Sequence, residues 1–125
     1  MITYAKFVLS YGTYDSYSSD NYLEMVCSIF DDGSYWTECT KKALLDPQSP
    51  GLFGNLVEFD IIDDVVRISP TLVDDPEEYT IEIDRQVLLN LIEKWQELAT
   101  KKVPTIYFIR YENGTIEVTD QLPVQ

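Results

Sequence analysis

Histidine is absent from the 125 residues of this chain. Because histidine is the usual general base near neutral pH, its absence excludes Ser-His-Asp and Cys-His nucleophilic schemes and histidine-based zinc sites. Cysteine is scarce as well, since Cys27 and Cys39 lie twelve positions apart and form no C-x-x-C pair. The sequence therefore predicts two free, mostly buried thiols rather than a disulfide.

Long apolar runs are also missing. No segment approaches the roughly 20 apolar residues that a membrane span requires. The N-terminal sequence is charged and rich in tyrosine, which does not fit a signal peptide. We therefore expect a cytoplasmic protein with no membrane association.

Basic residues are few: 9 lysines and arginines stand against 22 acids, which gives a formal net charge of −13. Such a charge repels nucleic acid and anionic lipid, and it steers association with positively charged surfaces. The apolar fraction of 45% is nevertheless that of a globular protein. We expect a single domain over residues 1–125 that folds without a metal or a disulfide and binds a basic protein.

The first half of the chain predicts strands and loops. Residues 2–10 are β-branched and aromatic and predict a strand, followed by a Tyr/Ser/Asp/Gly-rich loop over 11–21. Apolar residues 22–30 and 34–40 flank Asp31-Asp32-Gly33, a pattern typical of a β-hairpin. Residues 41–55 contain two prolines and two glycines and predict a connection with about one helical turn.

The second half predicts short strands over 56–62 and 65–69, joined at Asp63-Asp64. Residues 70–76 predict a loop, and the alternation of apolar and polar residues over 79–83 predicts a half-exposed strand. Strands over 105–111 and 115–119 flank Asn113-Gly114, a strong hairpin signal.

A long amphipathic helix is predicted over about 84–102, with Asp84 as its N-cap. Its apolar stripe consists of Leu88, Leu91, Ile92, Trp95, Leu98 and Ala99. Strands, one helix and a final hairpin favour an α+β domain: a mostly antiparallel sheet, with the long helix packed on one face and a C-terminal hairpin.

The acids are concentrated in one segment. Residues 58–82 contain nine acids against Arg67 alone, which is −8 within 25 residues. Turns and solvent-facing positions are often charged, but crowding of like charges adds repulsion without a folding benefit. We expect the following residues to contact a basic partner: Glu58, Asp60, Asp63, Asp64, Asp74, Asp75, Glu77 and Glu78.

Tyrosines are concentrated in the segment 11–22, among Ser, Gly, Asp and Asn, a composition like that of antibody contact loops. We expect Tyr14 and Tyr17 to contact the partner, with packing over a sheet edge as an equal alternative. Trp95 falls on the helix stripe and predicts a core residue, whereas Trp36 fits either the core or the surface.

A catalytic alternative rests on Asp60, Asp63 and Asp64, which resemble the carboxylate clusters of magnesium-dependent nucleases. Arg67 is the only base near them to offset the charge of a phosphate substrate. No EF-hand ligand ladder is present, and the chain offers little room for a sugar-binding cleft. We therefore expect no enzymatic activity, no metal and no cofactor.

The segment IEIDRQVLLNLIEKWQELATKKVPTIYFIRYENGTIEV, residues 81–118, resembles the immunity proteins of bacterial polymorphic-toxin and contact-dependent growth-inhibition systems. Many of these are small acidic α+β proteins with a strand, an LLxLIxxW-like helix and a hairpin. The resemblance covers about a third of the chain. It implies a protein that blocks a cognate toxin, commonly a nuclease, by covering its basic cleft or a neighbouring face. It assigns no functional residue.

Three other functions fit parts of the sequence. An adaptor subunit would be acidic for solubility, and a nucleic-acid mimic would occupy the DNA groove of another protein. A small metal-dependent hydrolase would use Asp60, Asp63 and Asp64. The sequence leaves open the oligomeric state and the identity of a toxin.

Overall fold

The computed structural model describes residues 2–18, 20–31, 33–49, 51–53, 57–71 and 73–123. These described residues form eight strands and four helices. The strands are β1 (Thr3–Ser10), β2 (Thr13–Ser18), β3 (Gly51–Phe53), β4 (Val57–Ile62), β5 (Val65–Pro70), β6 (Ile81–Asp84), β7 (Thr105–Arg110) and β8 (Ile116–Thr119). The helices are α1 (Asn21–Asp31), α2 (Gly33–Leu45), α3 (Pro76–Tyr79) and α4 (Arg85–Thr100).

Within this described part, the strands form two antiparallel sheets, ordered β2-β1-β7-β8 and β3-β4-β5-β6. Helix α1 contacts β1, β2 and β7 of the first sheet and β5 of the second. Helix α4 contacts β7 and β8 of the first sheet and β6 of the second. The predicted fold class is confirmed: an α+β protein with antiparallel sheets, a long packed helix and a C-terminal hairpin, β7–β8.

Helix α4 begins where its sequence predicts. The Asp84 carboxylate accepts hydrogen bonds from the backbone N–H groups of Gln86 and Val87, at 2.9 and 3.0 Å. This bond pattern satisfies two of the N–H groups that a helix leaves unpaired at its start. Trp95 is buried on the inner face of α4, with its ring centroid 4.7 Å from that of Phe7. Its predicted place in the core is confirmed.

The loop predicted over residues 11–21 is wrong for most of its length. Residues 13–18 form β2, which pairs antiparallel with β1. The pairing runs from Ser10 opposite Thr13 to Ala5 opposite Ser18. The turn between them consists of Tyr11 and Gly12, with φ values of 50° and 84°. Two successive positive φ values characterise the tight turns that match the twist of a hairpin.

The hairpin predicted around Asp31-Asp32-Gly33 is also wrong, since the flanking residues form α1 and α2. The Asp20 carboxylate accepts hydrogen bonds from the N–H groups of Tyr22 and Leu23 and begins α1. The apolar side chains of α1 are buried against both sheets, while Asn21, Glu24 and Ser28 follow one another at the i, i+3, i+7 spacing of one helix face. The sequence therefore contained a helical pattern, but the Asp-Gly hairpin signal was given more weight.

Residues 41–55, which were predicted as a connection, contain the last residues of α2 and the short strand β3. Gly51 has a φ of 133°, and a Cβ atom there would collide with the carbonyl oxygen of Phe59. Glycine is therefore required where β3 approaches β4. The β4–β5 hairpin at Asp63-Asp64 and the β7–β8 hairpin at Asn113-Gly114 are confirmed.

The two cysteines form no disulfide: Cys27 is buried and Cys39 is half-buried. This confirms the prediction that Cys27 and Cys39 are not joined in a disulfide. No helix within the described ranges is long and apolar enough to span a membrane.

Candidate protein-binding surface

The outer face of the second sheet collects much of the acidic segment. Side chains directly opposite each other on neighbouring strands share a face. The strand pairing aligns Ile62, Val65 and Asp84 in one row across β4, β5 and β6. Asp60, Arg67 and Glu82 form a second row beside it. Glu58 and Ser69 form a third row. We call these eight residues of β4, β5 and β6 the acidic face.

The opposite face of the same sheet belongs to the core. Val57, Phe59, Val66, Ile68 and Ile83 are each at most 5% exposed. Ile61 and Ile81 are partly buried and pack against this core cluster. The acidic face therefore points away from the core, which explains why polar residues alternate with apolar ones along much of β4 and β5.

The Asp63-Asp64 turn at one end of this face is held through its backbone. Asp63 has a φ of 55°, in the left-handed region that aspartate tolerates better than most residues. The backbone N–H of Arg85 donates to the carbonyl of Asp64 at 2.7 Å, and the Arg85 Nη1 donates to the carbonyl of Asp63 at 3.3 Å. Both side chains are exposed, so their carboxylates are presented to solvent from a fixed turn.

Arg85 also holds the end of α2. Its Nε donates to the carbonyl oxygen of Leu44 at 2.8 Å, and its Nη2 donates to that of Asp46 at 3.1 Å. Helix C-termini leave carbonyl groups without intrahelical partners, and these bonds satisfy two of the carbonyls there. Arg85 therefore connects the end of α2, the β4–β5 turn and the start of α4.

The four acids predicted around residue 75 are exposed, and one of them is brought to the acidic face. The Glu77 carboxylate lies 2.9 Å from Nη2 of Arg67, with exposed side-chain fractions of 78% and 41%. Asp74 and Asp75 precede α3, and Glu78 lies within it. Because Arg67 is paired with Glu77, it offsets less of the negative charge of Asp60 and Glu82 beside it.

Two apolar side chains interrupt the acids. Ile62 is 60% exposed, and Val65, directly opposite it at the end of the hairpin, is 38% exposed. Asp60, Asp64 and Asp84 are neighbours of this pair in the strands and the turn. An exposed apolar pair within a charged rim is the arrangement of a protein interface, whose buried centre is depleted of charge.

The sequence interpretation did not identify Ile62 and Val65 as binding residues. A signal was available: Ile61-Ile62 and Val65-Val66 are adjacent apolar residues in strands. Because successive side chains of a strand point to opposite faces, one member of each pair must face outward. Glu82 and Asp84 also join the acidic face through the register of β6, which the sequence alone does not specify.

In the tyrosine segment, Tyr14 has a structural role, whereas Tyr11 is fully exposed at the tip of the β1–β2 hairpin. The Tyr14 hydroxyl donates to the carbonyl oxygen of Val103 at 2.7 Å, and its ring lies edge-on to Trp95 with centroids 5.3 Å apart. Burial raises the pKa of Tyr14. These contacts support the alternative in which Tyr14 packs over the sheet. The side chain of Tyr17 lies outside the described part, although its backbone pairs with Lys6 in β2.

Tyr22 lies in a second set of contacts, which involves Glu82 and Arg110. Its hydroxyl donates to the carbonyl oxygen of Glu82 at 2.6 Å, and the Arg110 guanidinium stacks over its ring at 4.2 Å. Burial raises the pKa of Tyr22, and the charge of Arg110 partly offsets this. Tyr22 therefore links α1 to strands of both sheets.

A groove between α2 and α4 has a volume of about 670 Å³ and is open to solvent. Tyr35, Glu38, Gln96 and the edge of Trp95 are among its lining residues. Trp36, whose location the sequence left open, is half-buried against Phe59 with ring centroids 6.0 Å apart. The residues that line the groove include no cluster of charged or catalytic groups.

The hydrolase alternative requires carboxylates that converge on a metal ion. Among the residues that the structure describes, no group of three or more acidic or cysteine side chains is close enough to hold one. Asp60 lies within β4, while Asp63 and Asp64 extend from the turn. The described residues therefore give this alternative no support.

Comparison with protein-family models, curated proteins and solved structures finds no match to this chain. Function must therefore be argued from the surface itself.

Proposed function

We propose that this chain is a binding protein of the immunity type, which neutralises a basic toxin domain, a nuclease, by covering part of its surface. The acidic face and the Asp63-Asp64 turn form the contact surface. This proposal assigns the protein to the cytoplasm, where such a toxin would act.

The observation that carries the proposal is the uneven charge of the second sheet. The acidic face and the turn contain six carboxylates, from Glu58, Asp60, Asp63, Asp64, Glu82 and Asp84. Of the cations beside them, Arg67 pairs with Glu77 and Arg85 donates to backbone carbonyls, so the six carboxylates still outnumber these two positive charges. A field of this sign accelerates encounter with a positively charged protein and repels nucleic acid.

Rigidity supports the same function. The acids lie on paired strands and on a turn that Arg85 holds, rather than on a long loop. A surface fixed in advance loses less conformational entropy when it binds, and this loss would otherwise weaken the complex. The adaptor alternative requires only a soluble surface, for which mixed charges suffice.

The first test is capture of the partner with immobilised protein, comparing three forms of the chain. These are the natural sequence, a face variant with Asp60, Asp63 and Asp64 changed to Asn, and a control variant with Glu93→Gln, Glu97→Gln and Asp120→Asn. Both variants change the net charge by the same amount, but the control residues lie on α4 and after β8. We expect one basic protein to be retained by the natural and control forms and lost by the face variant.

The captured protein must then be expressed and assayed with the purified chain. We expect a one-to-one complex that abolishes the nuclease activity of the partner. Complementary charge should raise its association rate constant from about 10⁵–10⁶ toward 10⁸–10⁹ per molar per second at low salt. If the face variant retains the partner as well as the natural form does, the proposal is contradicted. An association rate that does not depend on salt would contradict it too.

A further inference from the structure

Ile62 and Val65 give the acidic face a feature that charge alone does not require. Opposite residues of an antiparallel pair have Cβ atoms about 5 Å apart, so the two side chains form one continuous apolar patch. They are 60% and 38% exposed, while the neighbouring strand residues Ile61 and Val66 pack toward the core. Surface isoleucines scattered singly are ordinary, but this pair lies side by side on an open sheet face.

The surroundings of the pair are charged on several sides. Along the strands, the next outward positions are Asp60 and Arg67, about 7 Å away. Across the sheet, Asp84 lies opposite Val65. Beyond the pair, the chain turns through Asp63 and Asp64. Four carboxylates and Arg67 therefore surround an apolar centre.

A cleft continues this surface on the far side of the turn. It has a volume of about 430 Å³ and is lined by Leu44, Leu45, Asp64, Asp84, Arg85, Gln86 and Leu89. Of its three leucines only Leu45 is exposed, at 59%. Leu45 therefore adds one exposed apolar side chain close to the Asp64 and Asp84 carboxylates.

Resting on the proposed function, we infer that the partner presents an apolar side chain flanked by lysine or arginine, and that this side chain packs on Ile62 and Val65. The carboxylate rim then pairs with the flanking cations. Energetic hot spots lie at the desolvated centre of an interface, whereas rim charges mainly set the association rate. The apolar pair therefore determines the lifetime of the complex and the acids its speed of formation.

This chemistry separates the partner from a simple polycation and from the target of a nucleic-acid mimic. Contacts between a mimic and a DNA-binding groove replace phosphate contacts, which are electrostatic and strongly salt-dependent. Burial of an apolar side chain depends little on ionic strength, because it removes surface from water rather than pairing charges. Binding that persists in part at high salt is thus the distinguishing property.

Two synthetic peptides of equal charge test the inference. One has two leucines flanked on each side by lysine and arginine, and the other has serine in place of leucine. We expect the leucine peptide to bind at least tenfold more tightly and to retain binding at high salt. Its titration should shift the backbone amide signals of Ile62 and Val65 in NMR spectra of the labelled protein.

Protein variants complete the test. The double variant Ile62→Ser/Val65→Ser should bind both peptides with equal affinity. The single variant Ile62→Ser should show a smaller difference in affinity between the leucine and serine peptides than the natural protein does. The control Tyr35→Ser/Leu122→Ser removes two exposed apolar side chains elsewhere, 81% and 36% exposed, and should keep the full difference. Amide spectra of each variant show whether it is folded.

The possible outcomes distinguish this inference from the proposed function. Equal affinity of the two peptides, weakened by the Asp60/Asp63/Asp64 variant, would overturn the inference and leave an acidic binding face in place. If the amide signals of the acidic face shift with neither peptide, both the inference and the proposed function are overturned.

Discussion

The carboxylate of Asp20 lies 3.6 Å from the guanidinium of Arg110 and joins the start of α1 to the end of β7. Its side chain is only 9% exposed. One oxygen caps α1, and the other accepts a hydrogen bond from the Thr3 hydroxyl. Asp20 therefore ties the first strand, the central helix and a strand from the C-terminal half together.

The first prediction concerns the pH dependence of this contact. Burial alone would raise the pKa of Asp20, but hydrogen bonds from Thr3, Leu23 and Tyr22 and the charge of Arg110 lower it below its ordinary value of 3.8. A carboxyl whose pKa is lower in the folded state stabilises the fold above its ordinary pKa. That contribution is lost as the pH falls through the folded value.

Asp20→Asn isolates this charge, because asparagine caps a helix as well as aspartate does. We expect it to lower the free energy of unfolding by about 1 kcal/mol at pH 7, since hydrogen bonds to charged groups are lost. The difference from the natural protein should shrink as the pH falls below 3.8. Urea melts at pH 7, 5, 4 and 3 measure it, and a difference independent of pH would contradict the prediction.

The second prediction tests the packing role of Tyr14. Tyr14→Phe removes the donor to the carbonyl of Val103 and keeps the ring against Trp95. We expect a loss of about 1 kcal/mol in the free energy of unfolding, the typical contribution of one such bond. Tyr11→Phe is the control, because Tyr11 is fully exposed at the hairpin tip and should show no change. Equal stability of the two variants would contradict a structural role for the Tyr14 hydroxyl.

The third prediction concerns backbone strain in the β1–β2 turn. Tyr11 has a φ of 50°, a left-handed conformation that costs most residues roughly 1–2 kcal/mol. Asparagine tolerates this conformation, and Asn-Gly is the preferred pair for such a turn. Tyr11→Asn should therefore raise the free energy of unfolding by about 0.5–1 kcal/mol in thermal or urea melts. Tyr11→Ala keeps the unfavourable conformation, so an equal gain from alanine would count against this explanation.

The elements that the sequence predicted correctly carry strong local signals. Asp84 precedes a regular apolar stripe, and Asn113-Gly114 separates two β-branched runs. Both signals act within a few residues, and the fold does not override them. The cap of α1 was equally local, but Asp20 lies in a run of Ser, Asp and Asn that also fits a loop.

Helix α1 and strand β2 depend on contacts from distant parts of the chain. Leu23, Val26 and Ile29 are fully buried and α1 contacts both sheets, so long-range packing settles a segment that the Asp-Gly signal made resemble a hairpin. Strand β2, with the sequence TYDSYS, has no alternation of apolar and polar residues, and it becomes a strand by pairing with β1. Such pairing is long-range information that residue patterns do not contain.

The candidate surface was predictable in its charge and not in its geometry. The acids from Glu58 to Asp64 were identified from their density in the sequence. Their neighbours Glu82 and Asp84 arrive through the β5–β6 register, and Arg85 reaches the turn from the next helix. The apolar centre at Ile62 and Val65 followed from strand alternation but required the strand bounds to be known.

The fourth prediction addresses Arg85, which holds the turn through backbone contacts. Arg85→Gln and Arg85→Lys both remove the planar fork that serves the carbonyls of Leu44, Asp46 and Asp63. We expect each to lower the free energy of unfolding by about 2 kcal/mol, because several carbonyls lose charged donors. Lys101→Gln, at an exposed surface pair, should change it by less than about 0.5 kcal/mol.

Amide hydrogen exchange locates the effect of the Arg85 variants. Exchange should accelerate most at the end of α2 and around Asp63-Asp64, beyond the increase that the loss of global stability causes elsewhere. Exchange that accelerates equally throughout the chain would show that Arg85 serves global stability and does not fix the turn. Full stability of Arg85→Lys would show that charge alone is sufficient.

The fifth prediction separates binding from folding at the acidic face. Replacing Asp60, Asp63 and Asp64 by Asn relieves repulsion between neighbouring carboxylates and keeps side chains of the same size. Asparagine also tolerates the left-handed backbone of Asp63. The bonds that hold the turn use the backbone oxygens of Asp63 and Asp64, which the substitution preserves. The free energy of unfolding should therefore stay equal or rise by up to about 1 kcal/mol.

Binding should respond in the opposite direction. Charges on the rim of an interface act mainly through the association rate, so the loss of three of them should slow association and lower the affinity of the complex at least tenfold. The control triple Glu93→Gln, Glu97→Gln and Asp120→Asn matches the change in net charge and should keep the affinity within about threefold, because long-range attraction alone is screened by salt. Urea melts and titration calorimetry on the same samples provide both quantities. Lower stability with unchanged affinity would mean that the three aspartates serve the fold, and the binding surface would then have to lie elsewhere on the protein.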